Sequence, residues 1–125
     1  MKLNLNYKEM LVLPYSERGD LPSKPGIYYV GNDDCPVTYV GLTRNLKNRH
    51  AYHHRQAQFE EMKCAVIRYR NLSDEMLQAS KKLERNLIRL EKQAIQFYKP
   101  PLNGTPVPGK TVSIICGTGL LVQHR

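Results

Sequence analysis

The chain has 125 residues, with 19 Lys and Arg against 11 Asp and Glu, a formal charge of +8. Apolar residues make up 41% and charged residues 24%, the composition of one globular domain, which excludes a collagen-like, disordered or disulfide-dense chain. No apolar run approaches the ~20 residues of a membrane span, and Met1–Met10 lacks the apolar core of a secretory signal.

A cytoplasmic protein with no membrane partner is therefore expected. Cys35, Cys64 and Cys116 are odd in number and form no CxxC pair, so they read as reduced thiols. The charge is unevenly spread. No acid lies between Asp34 and Glu60, while Arg44, Lys47, Arg49 and Arg55 fall there with His50, His53 and His54. No acid follows Glu91. Such concentration suits a polyanion such as nucleic acid.

In chain order, residues 1–23 carry Pro14, Gly19 and Pro22 and read as an irregular arm. Gly26–Gly31 is aromatic and β-branched, a strand pattern, and Asn32–Cys35 is turn chemistry. Pro36–Gly41 reads as a second strand, with Pro36 at its first position. A hairpin with Gly31 facing Pro36 places Tyr28 opposite Tyr39 and Gly26 opposite Gly41. Tyr29 then points to the other face and into the core.

Thr43 precedes a helical pattern (Leu46, Arg49, His50, His53) that runs to about Ala57, and fits an N-cap. Cys64–Tyr69 is a third strand. Ser73 caps a long helix over 74–98, whose apolar positions Met76, Leu83, Leu87, Leu90, Ala94 and Phe97 form a core stripe. Lys99-Pro100-Pro101 ends it. Thr111–Cys116 and Leu120–Val122 read as a final hairpin. The order predicts an α+β fold, a β-β-α-β-α core with a small mixed sheet flanked by helices, plus a C-terminal β-hairpin. It divides into an arm (1–23), a core (24–103) and a C-terminal extension (104–125).

Gly26-Ile27-Tyr28 and, ten residues after the Tyr28 triplet, Tyr39-Val40-Gly41 resemble the signature of the GIY-YIG nucleases. That family includes the amino-terminal nuclease of a bacterial nucleotide-excision repair subunit, homing endonucleases, restriction enzymes and junction resolvases. Further positions strengthen the resemblance. Arg49 matches the family arginine on the first helix, and His53 a histidine found in several members one turn later. Glu91, Ile95, Pro100 and Asn103 match the spacing of the family's metal-binding glutamate and its following residues. Glu84, with Ile88, is a decoy that its distance from Pro100 disfavours. Val40 replaces the isoleucine of the second motif. The arm and the tail lie outside the resemblance.

The resemblance implies an endonuclease that hydrolyses DNA phosphodiesters with Mg²⁺ or Mn²⁺. Tyr28, Tyr39, Arg49, His53, Glu91 and Asn103 would be its catalytic residues, with Glu91 as metal ligand. The chemistry agrees with these residue types. A phenol of ordinary pKa ~10 needs help to act as a base, which a cation and an arginine supply. An arginine fork suits a phosphoryl oxygen. A hydrated hard cation needs few carboxylates. Either tyrosine could be the base, with Tyr28 preferred. His53 stays open between catalysis and a surface role. Asn103 would fix Glu91 or a phosphate. Thr43, Arg44, Lys47 and Arg55 are candidate nucleic-acid contacts, the first two at a helix start. His50, His54 and His124 match no pattern and read as surface residues.

Two other functions fit less well: a binding module of the same fold with lost or weak catalysis, and an RNA-directed nuclease. The short arm and tail cannot read a sequence alone. Cleavage is therefore expected to be structure-selective or of low specificity, or guided by a recognition partner, in repair, recombination or restriction.

Overall fold

The computed structural model describes residues 5–72, 82–103, 114–115 and 121–122. Its strands and helices run β1 (Leu11–Pro14), β2 (Gly26–Gly31), β3 (Tyr39–Thr43), α1 (Leu46–Ala51), α2 (Gln56–Glu61), β4 (Val66–Asn71), α3 (Lys82–Tyr98), β5 (Ile114–Ile115) and β6 (Leu121–Val122). This is the expected α+β class. β1 to β4 form one sheet in the order β1-β4-β2-β3, and β2 lies buried in its middle. All three of its pairings are antiparallel, where a mixed sheet was expected.

The arm is not irregular. Leu11–Pro14 pairs with β4 and becomes an edge of the sheet, with Pro14 at the strand end, where a missing N–H costs least. Short 3-10 segments, Tyr7–Glu9 and Tyr15–Asp20, flank it. The segment before β1 is tied down by phenols. Tyr29 and Tyr98 both donate to the Leu5 carbonyl (2.6 and 3.1 Å), and the Tyr7 amide donates to Tyr98 (3.1 Å).

The two faces of the sheet carry separate cores. Tyr28, Val30 and Ile67 pack with Tyr15, Leu46, Phe59 and Met62. Ile27, Tyr29 and Val40 pack with Met10, Val37 and Ala94. Tyr29 is fully buried, as its strand position requires.

The β2–β3 register differs from the expected one by two residues. Tyr28 faces Gly41, and Tyr39 faces Val30. The turn explains the shift. Asn32 and Cys35 close their own loop, Asn32 N–H to Cys35 O (3.0 Å) and Cys35 N–H to Asn32 Oδ1 (2.9 Å). Pro36–Thr38 then stays outside the strand, and β3 begins only at Tyr39. A shift of two keeps side chains on their face. Tyr28 and Tyr39 therefore still share one side of the sheet.

The first helix is shorter than its pattern predicts. α1 begins at Leu46, capped by Asn45, whose side chain accepts from Asn48 N–H. Thr43 is the end of β3, not the cap. Tyr52 leaves the helical region (φ −141°, ψ 62°). The His53 ring then accepts from Arg55 N–H (3.0 Å), a local bond that competes with helix continuation. Within α3, Ala94 is buried as expected, but Phe97 is 79% exposed. Ile95 and Tyr98 turn inward in its place. Residues 73–81, with the expected cap Ser73 and stripe residue Met76, lie outside the described residues. So do the side chains of Leu83, Glu84, Leu87 and Leu90. β5 and β6 pair antiparallel, and the rest of the expected hairpin, with Cys116 and His124, also lies outside. No described helix is long and apolar enough to cross a membrane.

Candidate active site

The site grows from the Tyr28 face of the sheet. Tyr28 lies in the central strand, and its ring covers Gly41 on β3. A Cβ at Gly41 would sit 2.2 Å from Tyr28 Cζ, so only glycine admits the phenol. Tyr39, diagonal to Tyr28 across the ladder, stacks on it at 6.3 Å between ring centroids.

The break after α1 supplies the next group. His53 turns into the protein and lies 5% exposed, with Nε2 2.8 Å from Tyr28 Oη. Its Nδ1 accepts a backbone N–H, so the neutral ring carries its proton on Nε2 and donates to Tyr28. Burial, first, and the Arg49 charge, second, hold His53 near a pKa of about 3, so the ring stays neutral. Tyr28 is pushed up from the usual phenol range by burial and by Tyr39, and Arg49 opposes this through a side-chain hydrogen bond and its charge. Arg49 Nη2 also donates to His54 Nδ1 (2.9 Å), which sets the direction of its guanidinium.

Glu91 approaches from α3 along the free edge of β3. Burial raises its pKa, while a hydrogen bond from the Leu42 backbone N–H counteracts the rise. Leu42 follows Gly41, which the Tyr28 ring covers, so the carboxylate lies one strand position from the phenol's own cover. Asn103 is expected to fix Glu91 or a phosphate. Its amide instead engages Val40 on both sides, accepting from Val40 N–H (2.8 Å) and donating to Val40 O (2.9 Å). Leu102 N–H adds a bond to Thr38 O (3.0 Å). Leu102, Asn103 and Glu91 thus close the edge of the sheet that carries Tyr39 and Gly41. Asn103→Ala should destabilise the chain by about 1–3 kcal/mol, because two backbone groups at buried Val40 lose their partners. Urea denaturation measures this.

The candidate nucleic-acid contacts separate into two kinds. Arg44 and Lys47 are exposed on the rim. Thr43 is half-buried, and its Oγ1 bonds to the Asn45 backbone. Arg55 is buried rather than facing a ligand. It donates to Gln58 Oε1 (2.8 Å), and its guanidinium lies 5.7 Å from the Tyr39 ring centroid, where it supports that ring.

Two residues read as surface belong to the site. His54 is exposed, but it holds Arg49. His50 is fully buried, edge-on to Tyr28 at 4.3 Å and stacked on His53 at 5.4 Å, with no hydrogen-bond partner for either ring nitrogen. Its spacing of four from Leu46 is the signal that places it on the buried face of α1.

Among the described residues no group of three His, Cys, Asp or Glu could enclose a metal. The donor available in the site is a single, half-buried carboxylate. That donor set fits a hydrated hard cation and not a soft, fully protein-ligated one.

The family model for the UvrC-like GIY-YIG domain matches residues 24–104. The chain is 31% identical over 98 residues to "UvrABC system protein C" of Bacteroides fragilis, covering 78% of this chain and 16% of that one. It is 32% identical over 82 residues to the Aquifex aeolicus protein of the same name (66% and 14%), and 32% over 91 residues to that of Chlorobium phaeobacteroides (73% and 14%). The chain thus spans only about a seventh of the length of these relatives. No solved structure gives a significant match. With both tyrosine triplets, Arg49, Glu91 and Asn103 inside the matched region, the chain belongs to the family of UvrC-like GIY-YIG domains.

Proposed function

We propose that the chain nicks DNA by metal-dependent phosphodiester hydrolysis. The observation that carries this reading is the 2.8 Å contact of Tyr28 Oη with His53 Nε2, beside Arg49 and Glu91. Tyr28 Oη first releases its proton to solvent; water then attacks phosphorus, the bond to the 3′ oxygen breaks and that oxygen takes a proton from solvent, and the attacking water's proton passes to the Tyr28 phenolate. His53 N–H and Arg49 both stabilise the phenolate form that accepts it. Tyr39 keeps the Tyr28 ring in place. Arg49 also offers its fork to a phosphoryl oxygen. Glu91 would hold one Mg²⁺ or Mn²⁺, which when bound supplies charge neutralisation at the phosphate and the leaving oxygen. Since burial and Tyr39 hold Tyr28 above the ordinary phenol range, it is a resting phenol at neutral pH. Its activation therefore depends on the assembled site.

The role of Asn103 in this reading is indirect: it fixes the strand that bears Tyr39. Arg44 and Lys47 would contact phosphates beside the cut. In a longer protein, or with a recognition partner, other segments would choose the substrate.

The test is incubation of supercoiled plasmid and branched DNA with the purified chain and Mg²⁺ or Mn²⁺. Nicking is expected, and it should disappear in Glu91→Gln and in Tyr28→Phe. Nicking that persists unchanged in Glu91→Gln would overturn the mechanism. A salt-dependent gel shift with no cleavage under any metal would point to a binding module instead.

A further inference from the structure

Adjacent residues at the end of α1 have opposite fates. His53 is 5% exposed and holds Tyr28, while Tyr52 is 90% exposed. The non-helical backbone at Tyr52 produces this reversal, turning one ring out and the next in. Tyr52 makes no ring contact with another aromatic among the described residues, whereas Tyr28, Tyr39, His53, His54 and Phe59 form a connected cluster of ring contacts, most of them edge-on. It also lies inside the acid-free stretch between Asp34 and Glu60, just past the end of the helix that exposes Lys47 and Asn48, and between the partners of the Arg49–His54 pair in the chain. A single exposed tyrosine is unremarkable on most surfaces. An exposed aromatic within a basic surface is the combination by which proteins hold unpaired bases, since every base offers a face for stacking.

We propose that Tyr52 is a stacking subsite for an unpaired nucleobase adjacent to the phosphate that is cut. The inference rests on the nuclease reading above and sharpens its substrate class to DNA with a bulged, frayed or single-stranded nucleotide at the site. The geometry restricts the position. Tyr52 follows Arg49, the candidate phosphate contact, by three residues at the end of the same helix, about one helical turn, which sets its exposed ring beside the phosphate that Arg49 would hold. A paired base cannot present its face there without leaving the duplex, which has an unstacking cost of its own. A base that is already unpaired escapes that cost, so the subsite favours such substrates.

The probes are two duplexes of equal length, one with a single-nucleotide bulge carrying 2-aminopurine and one fully paired. They are titrated with the full chain in EDTA, so that no turnover occurs. The wild-type chain should bind the bulged duplex more tightly and quench the 2-aminopurine fluorescence. In Tyr52→Ala the ratio of the two affinities should fall about tenfold, and the quench should vanish. Tyr52→Trp should restore both. An unchanged ratio in Tyr52→Ala, while wild type still binds and nicks DNA, overturns the stacking subsite and leaves the nuclease reading intact. Absence of binding and nicking on every DNA by the wild type overturns both.

Discussion

Gly41→Ala is expected to lower nicking at least about 100-fold while the chain remains folded. The added Cβ would fall 2.2 Å from Tyr28 Cζ and 2.3 Å from Tyr28 Oη, so the ring must move. β3 cannot yield easily, because β2 pairs with it on one side and Asn103 and Leu102 bind it on the other. The displacement therefore falls on the phenol and its bond to His53. Overpacking of this kind costs about 1–3 kcal/mol of stability. Plasmid nicking and urea denaturation on the same preparation separate the two effects. Activity within twofold of wild type would mean that the Tyr28 hydroxyl position is immaterial.

Stability should fall steeply as the pH is lowered from about 6.5 to about 3. His50 and His53 titrate near 6.5 when unfolded, but burial holds them at about 4 and about 3 in the fold. Between these values the unfolded chain binds protons that the folded chain refuses, so each step down in pH favours unfolding. Above pH 6.5 both states are neutral at these positions, and the effect is absent. His50 alone should account for a loss on the order of 3 kcal/mol. Melting temperature measured at pH 7, 5.5 and 4 tests the slope. His50→Leu should flatten it and also raise stability at pH 7, because two buried nitrogens without partners are removed. A steeper slope, or a lower melting temperature at neutral pH, would show that the imidazole is needed for packing.

Much of this arrangement was legible in the residues. Alternation in Gly26–Gly31 determined which face Tyr28 takes, and the burial of Tyr29 on the opposite face agrees with it. The offset of two in the hairpin was not legible. It depends on Asn32 and Cys35 closing a turn of their own, a choice that competes with simple strand pairing only in three dimensions. The arm misled because Pro14 and Pro22 signal irregular chain, whereas a four-residue strand needs little more than a partner, and β4 provides one far along the chain, Val12 facing Arg68. Helical spacing places Leu46 and His50 on one face, but His50 matches no position of the family pattern and so reads as a surface residue, although the spacing alone puts it beside a core leucine. The same spacing carried α1 too far, since the bond from Arg55 N–H to the His53 ring is a local side-chain competitor that periodicity does not encode. Asn103 matched its motif spacing, but spacing could not reveal that its partner is a backbone rather than a carboxylate.

The closed edge of β3 has a practical consequence for anyone silencing the site. Glu91, the candidate metal ligand, is also a guard, because its carboxylate occupies the Leu42 N–H that would otherwise be offered to a neighbouring strand. Gln at position 91 keeps an oxygen for that N–H, while Ala leaves it bare. An inactive Ala variant would therefore tend to self-associate through this edge, and its silence could be mistaken for lost chemistry when it reflects lost solubility. At the opposite margin β1 already exposes Leu11 and Val12, so such a variant would have adhesive strands on both sides of the sheet.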